Sequence, residues 1–219
     1  MEQLISTMLA EGVPLETILL LLLLPIVATF IAFSRQVIGL RGFGMYTPLI
    51  ISFAFVETGL RYGLGIFIAV LLTGTLMRFI VRKARLLYFP RIAIVLTIVA
   101  LVMFLMLLEG AMSSRTGFIS VSIFPLLIII ILVENFVAAQ IEHGARAAII
   151  LSIETLIVAT ISYYLLTWEE LRQFVFQYPW VILATIFINI GLGRWTGLRL
   201  AEYLRFREIF RHVDDAREE

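Results

Sequence analysis

Pro48-Leu49-Ile50-Ile51-Ser52-Phe53-Ala54-Phe55-Val56-Glu57 and Pro125-Leu126-Leu127-Ile128-Ile129-Ile130-Ile131-Leu132-Val133-Glu134 read alike when their prolines are superposed. Each proline is followed nine positions later by a glutamate. Further on, Thr75-Leu76 matches Thr155-Leu156 after a three-residue insertion. Proline lacks a backbone donor and clashes with the turn before it, so it suits the first helical position better than a helix interior. Gly42-Phe43-Gly44-Met45-Tyr46-Thr47-Pro48 therefore reads as a flexible approach, a Thr47 N-cap and a helix start. From Pro48 to Glu57 is about 15 Å of helix, half a bilayer. The spacing predicts a broken helix whose inner half begins near the midplane. Ser120-Val121-Ser122-Ile123-Phe124-Pro125 predicts the same for its counterpart.

The rest of the chain supports a membrane setting. Of 219 residues, 61% are hydrophobic and 15% charged, with a mean hydropathy of +1.03. Soluble domains run at about 45–50% apolar and about 25% charged, so a soluble enzyme, a disordered chain and a fibrous repeat are excluded. Seven apolar spans are predicted, at 15–34, 37–57, 62–81, 91–109, 117–138, 145–167 and 179–196. The run Leu19 to Leu24 has no basic region before it and continues through Pro25-Ile26-Val27-Ala28, so it reads as an anchor rather than a cleaved signal. Under seven spans, 14 Lys and Arg residues fall on one side and only Arg61, Arg115 and Arg172 on the other. That bias predicts an outside N-terminus, residues 1–14, and a cytoplasmic C-terminus. Residues 197–219 continue as a basic amphipathic cytoplasmic tail helix with a frayed end.

The fold class expected is thus an all-α integral membrane protein. It has seven transmembrane helices: two three-helix repeats, 15–81 and 91–167, and a last span. Three spans per unit place the second repeat upside down, as in many secondary transporters.

Ionisable groups inside spans are costly and usually face the bundle interior or water. Glu57 and Glu134 read as span-end residues, with a role in the Pro48/Pro125 repeat motif. Glu154 sits ten residues into the sixth span between polar neighbours, with Arg78 or Arg41 as the cations within reach in three dimensions. Helix N-termini near the midplane carry partial positive charge and free N–H groups. Arg41, Thr47, Ser122 and Glu154 are the candidate substrate-binding residues for a carboxylate or phosphate. The alternative reading is two proline-kinked helices whose freed groups are satisfied by Thr, Ser and neighbouring spans. Asn189 with Gly191, Gly193 and Gly197 reads as a close-packing edge.

Much chemistry is excluded. There is no cysteine, and His143 and His212 make no zinc spacing, so no metal and no cofactor are expected. No hydrolase, Walker or dinucleotide motif occurs, and no basic-aromatic patch suits nucleic acid. Asp214 and Asp215 are the only aspartates, which removes intramembrane aspartyl chemistry. The chain reads as no enzyme.

Four segments carry a family likeness: Gly44-Met45-Tyr46-Thr47-Pro48 to Phe55-Val56-Glu57-Thr58-Gly59-Leu60; Leu86-Leu87-Tyr88-Phe89-Pro90-Arg91; Phe124-Pro125 through Glu134 to His143-Gly144-Ala145-Arg146; and Gly193-Arg194-Trp195-Thr196-Gly197-Leu198-Arg199-Leu200 with Leu204-Arg205-Phe206-Arg207. Across roughly 15–210 they resemble the bacterial seven-transmembrane domain usually fused to an inactive transglutaminase-like domain. No such domain precedes the first span here, so either a stand-alone version or one lacking an extracytoplasmic part is expected. The resemblance implies a bacterial inner membrane location. It also implies association with cytosolic ATP-grasp ligases of the glutamate-adding type and with a protease-like protein, and supplies no catalytic residues. A fainter likeness is to the C subunit of poly-γ-glutamate capsule synthesis. Two functions follow as expectations: a non-enzymatic membrane subunit for such a ligase that passes an acidic product outward, or a small anionic-solute transporter or flippase.

Overall fold

The structure is a computed structural model that describes residues 7–83, 87–112 and 123–194, with side chains described except at 77–83, 88, 107, 109–112 and 123–129. Ser122 and the predicted tail helix lie outside the described residues. Besides a helical stretch at 7–10 and a π-helical turn, eight α-helices are described: α1 Leu15–Phe33, α2 Tyr46–Thr58, α3 Leu60–Lys83, α4 Tyr88–Met112, α5 Ile123–Glu142, α6 Gly144–Thr167, α7 Glu169–Gln177 and α8 Val181–Gly193. Among the described residues there is no strand. Leu15–Ile38, Phe89–Met106 and Gly144–Thr167 are each long and apolar enough to cross a bilayer.

The chain forms two compact units, Met1–Arg41 with Trp168–Glu219, and Gly42–Thr167. In the first, α1 runs into a π-helical turn, Ser34–Ile38, closed by Gly39 at φ 92°. Pro25 lies inside α1, where its ring leaves the preceding turn without one amide donor. The Thr29 hydroxyl donates to the Pro25 carbonyl, 2.7 Å, and accepts from Asn189 Nδ2 on α8, 2.8 Å. This hydrogen bond ties α8 to α1 between two otherwise apolar helices. At the start of α1, Glu16 pairs with Arg172 on α7. The helices α7 and α8 bend by 105° at residues 178–180. The seventh predicted span, 179–196, is therefore observed as a 13-residue helix, α8, behind a short helix of different direction. A Cβ added at Gly191 or Gly193 would meet nothing within 4 Å. The close packing expected at that edge is not made among the described residues; the contact shown is the Asn189–Thr29 hydrogen bond, with Thr185 buried one turn before it.

In the second unit, α2 is the central element. Thr47, Pro48, Ile51, Ser52, Ala54 and Phe55 are all buried and share one face of it, while Tyr46 and Glu57 on the other side are exposed. It packs on α6, α5 and α3, while α3 in turn packs on α5 and α4. The core gathers Ile51, Phe55, Phe67, Val99, Leu132, Phe136 and Ala159 from five helices. Two glycines set the close approaches. At Gly63 a Cβ would stand 2.3 Å from the Phe55 ring, so the α2–α3 hairpin closes only without a side chain there. At Gly74 a Cβ would stand 3.0 Å from the Phe136 ring, which brings α3 tightly onto α5.

The second predicted span, 37–57, divides in the structure. Its beginning completes the π turn, 39–45 is non-helical, and the helix begins at Tyr46, two residues before Pro48. At 13 residues, α2 is about 20 Å long, short of the roughly 30 Å hydrocarbon core. Proline sits in its first turn, where no amide donor is required of it.

Candidate functional site

The segment entering α2 is held by side chains from α5 and α6. Glycine is required at its first position: Gly42 has φ +38°, and a Cβ there would stand 3.2 Å from Thr155 Oγ1. The Gly42 N–H donates to Glu154 Oε2 at 2.9 Å. The next amide, Phe43 N–H, donates to Thr155 Oγ1 at 2.8 Å in a buried setting. Consecutive residues of α6 thus receive consecutive amides of the approach. The Thr155 hydroxyl can accept because its own proton is directed to the Leu151 carbonyl, 2.7 Å away. The Phe43 ring is 6% exposed and enters the core, which anchors the same loop from its apolar side.

Thr47 is not an N-cap. The helix begins one residue earlier, Met45 at the cap position makes no side-chain capping bond, and Thr47 is buried at 4% exposure. Its hydroxyl instead accepts from Asn135 Nδ2 on α5, 3.2 Å, while the same nitrogen also donates to Ile131 O. The cause is its place on the buried face of α2, which turns Thr47 towards a neighbouring helix rather than back to its own first turn.

The predicted residues are therefore partly assembled. Glu154 and Thr47 both act on the Gly42–Thr47 segment, one at its first amide and one through the helix start. Arg41 is exposed and is the last residue of the other compact unit. Pro48 is buried in the first turn of α2. Glu57 is exposed at the penultimate position of α2. Glu134 differs: α5 continues eight residues past it to Glu142. Pro125 lies in the first described turn of α5. Asn135 and Thr155 were not singled out as site residues. Asn135 is a polar residue amid an apolar run, and Thr155 was noted only as a repeat match to Thr75. Both threonines return their hydroxyl to the carbonyl four residues back, at Leu71 and Leu151.

Chemically, the arrangement is a clamp on backbone. A carboxylate and a hydroxyl from one helix receive two successive N–H groups, which fixes where α2 starts. Among the described residues no three His, Cys, Asp or Glu side chains are grouped to hold a metal ion.

A bundle of apolar helices, with polar groups returned to its own backbone, defines a multi-pass helical membrane protein. Residues 10–210 match the family of seven transmembrane helices usually fused to an inactive transglutaminase, and the chain belongs to that family. No curated protein and no solved structure matches it.

Proposed function

We propose that this chain is a non-enzymatic membrane subunit that docks a cytosolic ATP-grasp, glutamate-ligase-like partner through its arginine-rich side and tail. The observation that carries this reading is the Glu154–Gly42 hydrogen bond. The amide that an anionic solute would need at this helix entry is already taken by an oxygen of the protein's own Glu154. Internally satisfied polar groups of this kind serve a rigid platform better than an open anion path. Family membership supports a non-catalytic membrane domain. The concentration of 14 basic residues on one predicted side supports a cytoplasmic docking face, with the N-terminus outside. Glu16, in the first turn of the first span, pairs with Arg172, which the basic-residue bias assigns to the outside, and this supports an outside N-terminus. The test is co-purification with the ligase encoded beside it. Removal of residues 197–219 should abolish recovery of the ligase, and full recovery would refute the reading.

A second reading, transport of an acidic amino acid or peptide, is favoured by the same bond seen as a gate. In it, displacement of Glu154 frees the Gly42 N–H for a solute carboxylate. The packing of α2 on α6 and of α5 on α3 supports treating the two Pro–Glu segments as equivalent halves of such a device. If Arg41, Thr47 and Glu154 substitutions leave efflux of every tested anionic solute unchanged, transport is excluded.

A further inference from the structure

Two apolar spans fix where α7 lies along the membrane normal. Gly144–Thr167 is long and apolar enough to cross the bilayer, about 36 Å of helix against a hydrocarbon core of roughly 30 Å. The helix α7 begins at Glu169, two residues after that span ends. Leu15–Ile38 is likewise long enough to cross, and Arg172 in α7 pairs with its second residue, Glu16. Both markers put α7 at a membrane face. Its direction follows from α8, which lies against α1 through the Asn189–Thr29 bond and turns 105° from α7. A helix nearly perpendicular to one that runs beside a crossing helix runs along the membrane surface rather than into it.

The side chains of α7 are ordered for that position. At roughly 100° per residue, Leu171 and Val175 share the inward face, and Val175 is fully buried. Glu169, Glu170, Gln173 and Gln177, all exposed, share the opposite face. Phe174 and Phe176 are exposed on the two flanks between, about 100° either side of Val175. The Tyr178 ring stands beside that of Phe174, centroids 5.6 Å apart, and extends one flank to Trp180, 63% exposed at the corner with α8. A protein resting on α7 would meet its polar back, whereas the rings point sideways along the membrane face.

We propose that α7 is an interfacial helix whose flanking rings seat at the boundary between lipid headgroups and acyl chains, so that the partner of this surface is the lipid itself. Aromatic rings are favoured in that layer, and a helix with one apolar and one polar side lies in its plane. The attachment does not run on charge. Arg172 is the one cation of α7; its side chain is 17% exposed and is taken by Glu16. The exposed charges of the helix are the two glutamates. Zwitterionic lipid therefore suffices, and anionic lipid adds nothing.

The chain has no cysteine, so single cysteines report position directly. The full chain in phosphatidylcholine nanodiscs carries a nitroxide at Glu170→Cys, Phe174→Cys, Phe176→Cys or Gln177→Cys, one at a time. Collision with oxygen, which concentrates in lipid, is compared with collision with a water-soluble nickel chelate. Glu170 and Gln177 lie on one face two turns apart, about 10 Å along the axis. Labels at these two should favour the chelate equally, and labels at 174 and 176 should favour oxygen several-fold more. Replacing part of the phosphatidylcholine by phosphatidylglycerol should leave all four ratios unchanged. The pair at 170 and 177 keeps every ring in place, so it tests the direction of α7 even where a ring substitution unfolds the chain. Oxygen preference that climbs from 170 to 177 would make α7 part of a descending span. Chelate preference at 174 and 176 would stand it off in water, and labels there closed to both reagents would mean that a protein partner or a second copy covers the rings. Deeper labels in anionic lipid would show attachment by charge. Each of these four results overturns the proposal.

Discussion

Replacing Thr155 by valine tests the clamp on the α2 approach most directly. The side chain is fully buried and receives the Phe43 N–H at 2.8 Å. Valine keeps the shape and branching but presents a methyl where the acceptor stood. The Leu151 carbonyl loses only a second bond, since α6 still supplies it the amide four residues on. The Phe43 amide is left without its acceptor in a buried setting, which costs roughly 1–3 kcal/mol. At about 1.4 kcal/mol per tenfold, the local opening equilibrium should rise by roughly 5- to 150-fold. Hydrogen exchange of the 42–47 segment in nanodiscs reads this as faster exchange by the same factor, where reclosing outpaces exchange from the open form. Thr155→Ser restores the acceptor and should return most of the protection. Exchange in the valine variant equal to that of the parent, or serine indistinguishable from valine, would refute the assignment of Thr155 as the group holding the loop.

Glu154→Leu should likewise speed exchange at Gly42, whereas Glu154→Gln, whose amide oxygen still accepts, should leave it close to the parent; equal rates in the two variants would count against the hydrogen bond seen here. Gly63→Ala drives a Cβ into the Phe55 ring and should cost about 1–3 kcal/mol in detergent unfolding, with Phe55→Leu relieving part of the loss in a double-mutant cycle. Asn189→Leu removes the bond to Thr29 and should weaken the α1–α8 pairing by about 0.6 kcal/mol, measured by unfolding in mixed micelles. Among the described residues a Cβ at Gly191 or Gly193 meets nothing within 4 Å, so Gly191→Ala and Gly193→Ala should leave the stability of the isolated chain unreduced; a clear loss for either would place a close neighbour there.

The broken second span was legible in the sequence because Gly42, Gly44 and Pro48 each carry a local rule. Glycine frees the approach, and proline cannot accept a preceding turn. The helix indeed starts within two residues of Pro48. Thr47 was misread because the capping rule is also local, whereas the direction of its hydroxyl depends on a helix 88 residues further along the chain. Glu154 was legible as an anomaly, a carboxylate in an apolar run, but not its use. Hydrogen-bond partners 112 residues apart leave no mark in either segment alone. At Gly191 and Gly193 composition predicts a close approach that is not made among the described residues, and Gly197 lies outside them.

Composition and hydropathy by themselves determined that this is a helical membrane protein, because the bilayer allows an apolar backbone few ways to satisfy its own polar groups. They also determined where the second span breaks, since Gly42, Gly44 and Pro48 act on the turn they occupy, whereas Pro25 stays inside an unbroken α1. Only the tertiary structure decided what the few polar side chains inside the bundle do. Glu154 and Thr155 hold backbone amides, Asn135 holds Thr47, Asn189 holds Thr29, and Glu134 faces outward. The reason is that, away from water, a polar group's role is set by which partner stands within about 3 Å, and packing between distant segments chooses that partner.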